Sequence, residues 1–147
     1  AEAEAELGYR VVHSDDQAVV ICPFWSGVPF EMLIIPRVHG PHLHRSSPAD
    51  LAGVGHAVRT AVGQLRQRLG DVAYNLVFHS APYRPSGAFH WHAHIWPKIT
   101  TLAGFELGTG VFINIVPPEQ AAEELRAVSP ASPVPVAAPS APAPAPT

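Results

Sequence analysis

Two short runs rich in apolar residues, Tyr9 to Val12 and Gln17 to Cys22, flank the polar quartet His13-Ser14-Asp15-Asp16, and a third run, Phe30 to Ile35, is closed by Pro36. Runs of this length, bounded by turn residues, predict strands in a meander. The period then changes. Leu51, Val54, Val58, Ala61, Val62, Leu65 and Leu69 recur at helical spacing and stop at Gly70. Just before them stand Ser47 as cap, Pro48 at the first helical position and Asp50 as the reciprocal carboxylate of a capping box. One long amphipathic helix follows from this pattern. Beyond it, Tyr74 to His79 and Ala88 to Trp96 predict strands joined by a Pro/Gly-containing loop, Ser80 to Gly87. Val111 to Ile115 predicts a further strand and Pro117 to Ala127 a second helix. The order β-β-β-α-β-β-β-α predicts an α+β fold, an antiparallel sheet with one long and one short helix packed on it.

Composition adds boundaries. The last 20 residues, 128–147, hold seven Pro and six Ala and no charge or aromatic ring, which predicts a disordered, partly polyproline-like tail. Residues 1–8 open on alternating Ala and Glu and are expected to be a solvated or truncated leader, leaving 9–127 as the folded domain. Charged residues make up 14% of the 147, and 47% are apolar, so a buried core is expected rather than a disordered chain. The net charge of -3, with no Lys/Arg block, gives no support to nucleic-acid or membrane-surface binding. No apolar run reaches the length of a membrane span, and the acidic start is unlike a signal peptide, so a cytoplasmic location is expected. A single cysteine, Cys22, excludes an internal disulfide framework and a multi-cysteine zinc module. Beside Ile21 and Phe24 it reads as buried and inert.

Histidine is the unusual component: nine, equal in number to Lys plus Arg. Three fall in His90-Trp91-His92-Ala93-His94-Ile95-Trp96. On a strand, alternate side chains share a face, so His90, His92 and His94 face one way and Phe89, Trp91, Ala93 and Ile95 face the long helix. Three such imidazoles span roughly 13 Å, too far for all three to hold one ion, whereas an H-x-H pair with a third ligand from elsewhere can do so. Two chemistries fit. His92 can be a nucleophile or general base near neutral pH, supported by His90 and His94. Alternatively His92 and His94 bind a metal such as zinc, with His79 of the neighbouring strand as third ligand. Pro82-Tyr83-Arg84-Pro85-Ser86-Gly87 precedes this strand and offers backbone N–H groups, the Ser86 hydroxyl and the Arg84 charge to a phosphate, or is simply a strand connection. The second cluster, His39, His42 and His44, is irregularly spaced around Gly40-Pro41 and reads as a solvated loop. His13 and His56 read as surface residues.

The ordered set Cys22-Pro23-Phe24-Trp25, Pro29-Phe30-Glu31, Pro36-Arg37-Val38-His39, Tyr74-Asn75, His79-Ser80-Ala81-Pro82-Tyr83, the histidine run and Ala103-Gly104-Phe105-Glu106-Leu107-Gly108-Thr109-Gly110 resembles the carboxy-terminal half of the galactose-1-phosphate uridylyltransferase family, within the histidine-triad superfamily. The resemblance implies a histidine-triad-like sheet and a nucleotidyltransferase in which a histidine takes a uridylyl group from UDP-glucose and passes it to a hexose 1-phosphate. It implies nucleotide-sugar and sugar-phosphate substrates, no organic cofactor, and a substrate site drawing on Asn75, Arg84, Ser86, Gly87, Phe105, Glu106, Gly108, Thr109 and Gly110, with Glu106 accepting from sugar hydroxyls. In the two-domain transferases the nucleophile sits in a His-Pro-His segment of the amino-terminal half, and this sequence has none. By motif position, His79, His92 and His94 correspond to metal ligands of some relatives, while in free-standing triad hydrolases or phosphorylases the residue matching His92 is the nucleophile. A third reading is a non-catalytic metal-binding or nucleotide-sugar-binding half. The missing segment and the low charge together lead to the expectation of a homodimer, or of a complex with a His-Pro-His amino-terminal domain.

Overall fold

The computed structural model describes residues 8–83 and 88–128. The expected leader, the tail, and Arg84, Ser86 and Gly87 lie outside the described residues or at their margins. Five strands form one antiparallel sheet: β1 (Val11–Ser14), β2 (Ala18–Ile21), β3 (Met32–Pro36), β4 (Tyr74–His79) and β5 (His92–Pro97), in the spatial order β1-β2-β3-β5-β4. Among the described residues three helices accompany them, α1 (Pro48–Leu69), α2 (Gly104–Thr109) and α3 (Pro118–Arg126), with a 3₁₀ turn at Leu43–Arg45. The expected α+β architecture is the one observed.

The capping box at the start of α1 forms as the sequence predicts. Ser47 Oγ accepts from the Asp50 N–H, and Asp50 Oδ2 accepts from the Ser47 N–H. Val54, Ala57, Ala61 and Leu65 of α1 are buried against Val20, Met32, Ile34, Trp91, Ala93 and Ile95, so this face of the sheet carries the main core. α3 completes it with Ala121, Ala122 and Leu125. The ion pairs Arg10 to Glu119 (2.6 Å) and Arg68 to Glu124 (2.6 Å) hold it at the rim. Cys22 is in this core, and burial pushes its thiol up to about 12.

Three expectations need correction. First, β1 begins two residues late, because Asp15 Oδ1 accepts from the N–H groups of Gln17 and Ala18 and so moves the turn toward the second strand. Second, β5 begins at His92 rather than Ala88: the Trp91 N–H donates to the Gly40 carbonyl (2.9 Å), drawing the preceding residues off the ladder. Third, Val111 to Ile115 forms no strand. Asn114 Oδ1 accepts from the Val116 N–H, and the Asn114 side-chain amide donates to the Ser26 carbonyl, a side-chain-to-backbone pattern that competes with ladder pairing. This segment leaves the sheet, with Val111, Phe112, Ile113 and Ile115 exposed.

Strand β4 closes the site edge of the sheet. Tyr74, Leu76 and Phe78 lie on the helix side but stay 39%, 37% and 49% exposed, since α1 and α3 pack mainly over β1, β2 and β3. Among the described residues no helix is long and apolar enough to cross a bilayer.

Two glycines of α1 test this packing. A Cβ on Gly53 would stand 2.5 Å from Gln17 Cβ, while one on Gly55 would meet nothing within 4 Å. Replacing an exposed helical Gly by Ala gains about 0.5–1 kcal/mol where space allows. Gly55→Ala should therefore raise the urea midpoint, and Gly53→Ala should lower it despite the same propensity gain. Equal shifts of the same sign would contradict the packing of α1 on the turn before β2.

Candidate metal and nucleotidyl-transfer site

The β4–β5 register sets His79 directly opposite His92 and Val77 opposite His94. All three histidines therefore emerge on the face away from α1. The His79 and His92 rings stack at 4.9 Å and 15°. His94 lies edge-on to both, 4.9 Å from His79 and 5.3 Å from His92. One nitrogen from each lies within 4.8 Å of the others.

The protons on these rings follow from their partners. His92 Nδ1 is 2.9 Å from the His90 carbonyl, and His94 Nδ1 is 3.3 Å from Glu31 Oε1. A carbonyl or an ionised carboxylate can only accept, so both rings donate from Nδ1, and each in its neutral form keeps its lone pair on Nε2. His79 Nε2 is buried and has no hydrogen-bond partner among the described residues. The donor set fits a divalent transition metal: three neutral imidazoles, two of them tied at Nδ1 in the usual outer-shell manner.

Glu31 joins this histidine network, a contact the sequence reading did not foresee. Its carboxylate is buried and accepts from His94 (3.3 Å) and from the Gly27 N–H (2.8 Å). Burial alone would raise its pKa, but these donors outweigh it and hold the carboxyl below its ordinary range. The available signal was a lone carboxylate heading the apolar run Met32-Leu33-Ile34-Ile35.

His90 departs from the expected three-histidine face. It precedes the regular strand, and its ring lies 4.8 Å from that of His39, so it reaches His92 through its backbone carbonyl alone. His39 and His44 are exposed, as a solvated loop requires, with His42 5.2 Å from His44. Asn75 sits on the histidine face of β4, opposite Trp96. Phe105, Glu106, Gly108 and Thr109 lie in α2 and Gly110 caps its end. Glu106 accepts from the Ala103 N–H, and Thr109 Oγ1 donates to the Phe105 carbonyl. Among the described residues this segment shares no hydrogen bond with the histidines. It approaches the site through its continuation, where the Phe112 ring lies against Gly27 and Asn114 donates to Ser26, both in the turn leading to Glu31.

An antiparallel sheet backed by one long helix, presenting an H-x-H pair and a cross-strand histidine on its open face, defines a domain of the histidine-triad class. The comparisons agree: residues 4–101 match the HIT domain family, and the chain belongs to it. It is 32% identical over 130 residues to an ADP-glucose phosphorylase of Arabidopsis thaliana, covering 86% of this chain and 37% of that protein. It is 31% identical over 138 residues to a galactose-1-phosphate uridylyltransferase of Haemophilus influenzae, covering 86% and 39%. The crystal structure of an ADP-glucose phosphorylase from Arabidopsis thaliana with bound ADP-glucose superposes with a TM-score of 0.77 at 32% identity, over 86% of this chain and 42% of that one. A zinc-bound histidine triad family protein from Mycobacterium smegmatis shares the fold, with a TM-score of 0.60 at 19% identity over 80% and 81% of the two chains. This chain spans about two fifths of the length of the curated relatives above.

Burial lowers the pKa of His79, and the nearby His94 and His92 add to the effect. Burial likewise lowers that of His90, beside His39. With folded values below the unfolded 6.5, the unfolded chain binds protons first as pH falls, so this stability is complete above 6.5 and is lost below it. Urea midpoints of chelator-treated protein should therefore fall from about pH 7.5 to about pH 5.5, and less steeply in His79→Gln. Identical slopes in the two proteins would remove His79 from the linkage.

Proposed function

We propose that this domain is the metal-bearing half of a nucleotidyl-transfer enzyme acting on nucleoside diphosphate sugars, with zinc or iron held by His79, His92 and His94. The observation that carries this reading is the convergence of three imidazole nitrogens within 4.8 Å, with the Nδ1 protons of His92 and His94 already donated elsewhere. A divalent ion held by His79, His92 and His94 would supply positive charge on the open face. The chain's own contribution is to orient: the His90 carbonyl and Glu31 direct the two Nε2 lone pairs. Asn75 and the segment from Phe105 to Gly110, with Arg84, Ser86 and Gly87 beyond the described residues, are the candidates to receive sugar and phosphate. Both curated relatives described above carry names that point to nucleotide sugars or sugar phosphates. That supports the substrate class and leaves base and acceptor to experiment, since transfer to a sugar phosphate and transfer to inorganic phosphate share the same first cleavage.

The second reading has an observation of its own. A ring fixed as the Nδ1–H tautomer by the His90 carbonyl, with Nε2 free, is also what a histidine nucleophile requires. In that case the His92 Nε2–phosphorus bond forms as the bond from the α-phosphorus to the bridging oxygen breaks, and sugar phosphate leaves. The two roles exclude each other, because one lone pair cannot serve both.

Metal analysis of protein purified without a polyhistidine tag should give close to one divalent ion per chain, falling sharply in His79→Ala. Incubation with UDP-glucose or ADP-glucose should leave no nucleotidyl adduct on His92. An acid-labile adduct on the His92 peptide, lost in His92→Ala, would replace this reading with the nucleophile one.

The partner is a second domain docking on β4. Three features support this: the outer edge of β4, which no strand pairs among the described residues, the exposed stripe Tyr74, Leu76 and Phe78, and the greater length of the relatives. In the absence of that domain a second copy should take its place. Light scattering should show dimers of this chain that become monomers when Leu76→Lys and Phe78→Glu are combined. A dimer indifferent to both substitutions would move the interface elsewhere.

A further inference from the structure

We propose that α3 is a strap held shut by charge, and that its release bares the outer edge of β1 and uncovers Cys22 while the rest of the domain stays folded. β1 is the edge of the sheet opposite β4, so the device is independent of what the histidines hold.

α3 has little of its own to hold it. Its 9 residues are fewer than the ~12–15 that make an isolated helix even marginally stable in water, so it is a helix only while docked. Its buried anchors are Ala121, Ala122 and Leu125, and of these only Leu125 is large. Pro117, in the capping position, has no side chain that could accept from the first turn. Among the described residues, what closes the strap is a set of charged contacts along its length. Glu119 pairs with Arg10 (2.6 Å), Glu124 pairs with Arg68 of α1 (2.6 Å), and Arg126 Nη1 donates to the carbonyls of Tyr9 (3.4 Å) and Val11. The Arg10 carbonyl between those two accepts from the Cys22 N–H (2.8 Å), so those of Tyr9 and Val11 point the other way. Arg126 therefore stands where a further strand would pair.

The strap covers the thiol. Cys22 is 0% exposed in the cluster that α3 completes. Burial dominates its ionisation, and the charges of Arg126 and Glu119, from opposite ends of α3, also reach it. Exposed ion pairs are individually weak and are screened by salt, so a segment held this way opens at a lower free energy than the whole domain. α1 is held differently, with 22 residues, a capping box and buried positions from Val54 to Leu65, so it stays in place when α3 lifts.

The test follows alkylation of Cys22 in the full chain by N-ethylmaleimide, an uncharged reagent, beside amide hydrogen exchange. The sulfur adds to one carbon of the maleimide double bond and a proton ends on the other, so each adduct on the chain's one thiol records an opening. Below the unfolding transition, labelling should be nearly independent of urea, because a local opening exposes little surface. It should speed up several-fold between about 0.05 and about 0.5 M NaCl. Arg126→Gln should raise it about tenfold, the usual worth of a hydrogen bond from a charged donor. Amides of α3 should exchange with the same opening constant, ahead of those of α1. Labelling that carries the full urea dependence of global unfolding overturns the proposal, as do α3 amides protected as strongly as those of α1, and neither result needs a folded variant. Labelling unmoved by salt and by a folded Arg126→Gln overturns charge as what holds the strap shut.

Discussion

Everything on the open face depends on the pairing of β4 with β5 in a register that sets His79 against His92. Strand side chains alternate, so a slip of one residue would turn His92 and His94 into the helix-side core and bring Ala93 and Ile95 outward. That exchange would bury imidazoles where Trp91, Ala93 and Ile95 now pack against α1 and its neighbours. The main core therefore proofreads the site: a chain that has packed its apolar face correctly has already assembled its three nitrogens.

The sheet separates stability from chemistry. On the helix side lie the main cluster and the polar rim pairs of α3. On the other side a small group, Val19, Ile21 and Leu33, floors the histidines through the cross-strand neighbours Leu33 and His94. A ring proton on the open face is settled by what lies beneath or beside it, a backbone carbonyl for His92 and a carboxylate for His94. Neutral imidazole is a sparse code, with one donor and one acceptor per ring. Fixing the donor fixes the chemistry left on the other nitrogen.

Much of this was legible in the sequence. α1 could be read from its capping box and apolar spacing, and β4 from the run Tyr74 to His79, because local chemistry specified both. The H-x-H pair with His79 could be read from strand alternation and motif position. What escaped depends on contacts between distant segments. His90 leaves the histidine face because Trp91 bonds to Gly40, 51 positions earlier in the sequence. Val111 to Ile115 looks like a strand by composition, yet the Asn114 bonds to Ser26 and Val116 draw it from any edge. Glu31 is invisible as a partner of His94 until β3 and β5 lie side by side.

The core position of Cys22 has a consequence for the environments this domain tolerates. It is the chain's one thiol, sealed on the helix side and held fully protonated by burial. Reductants find no disulfide to open, and oxidants find no thiolate to attack. The domain's fold is thereby insulated from the redox state around it.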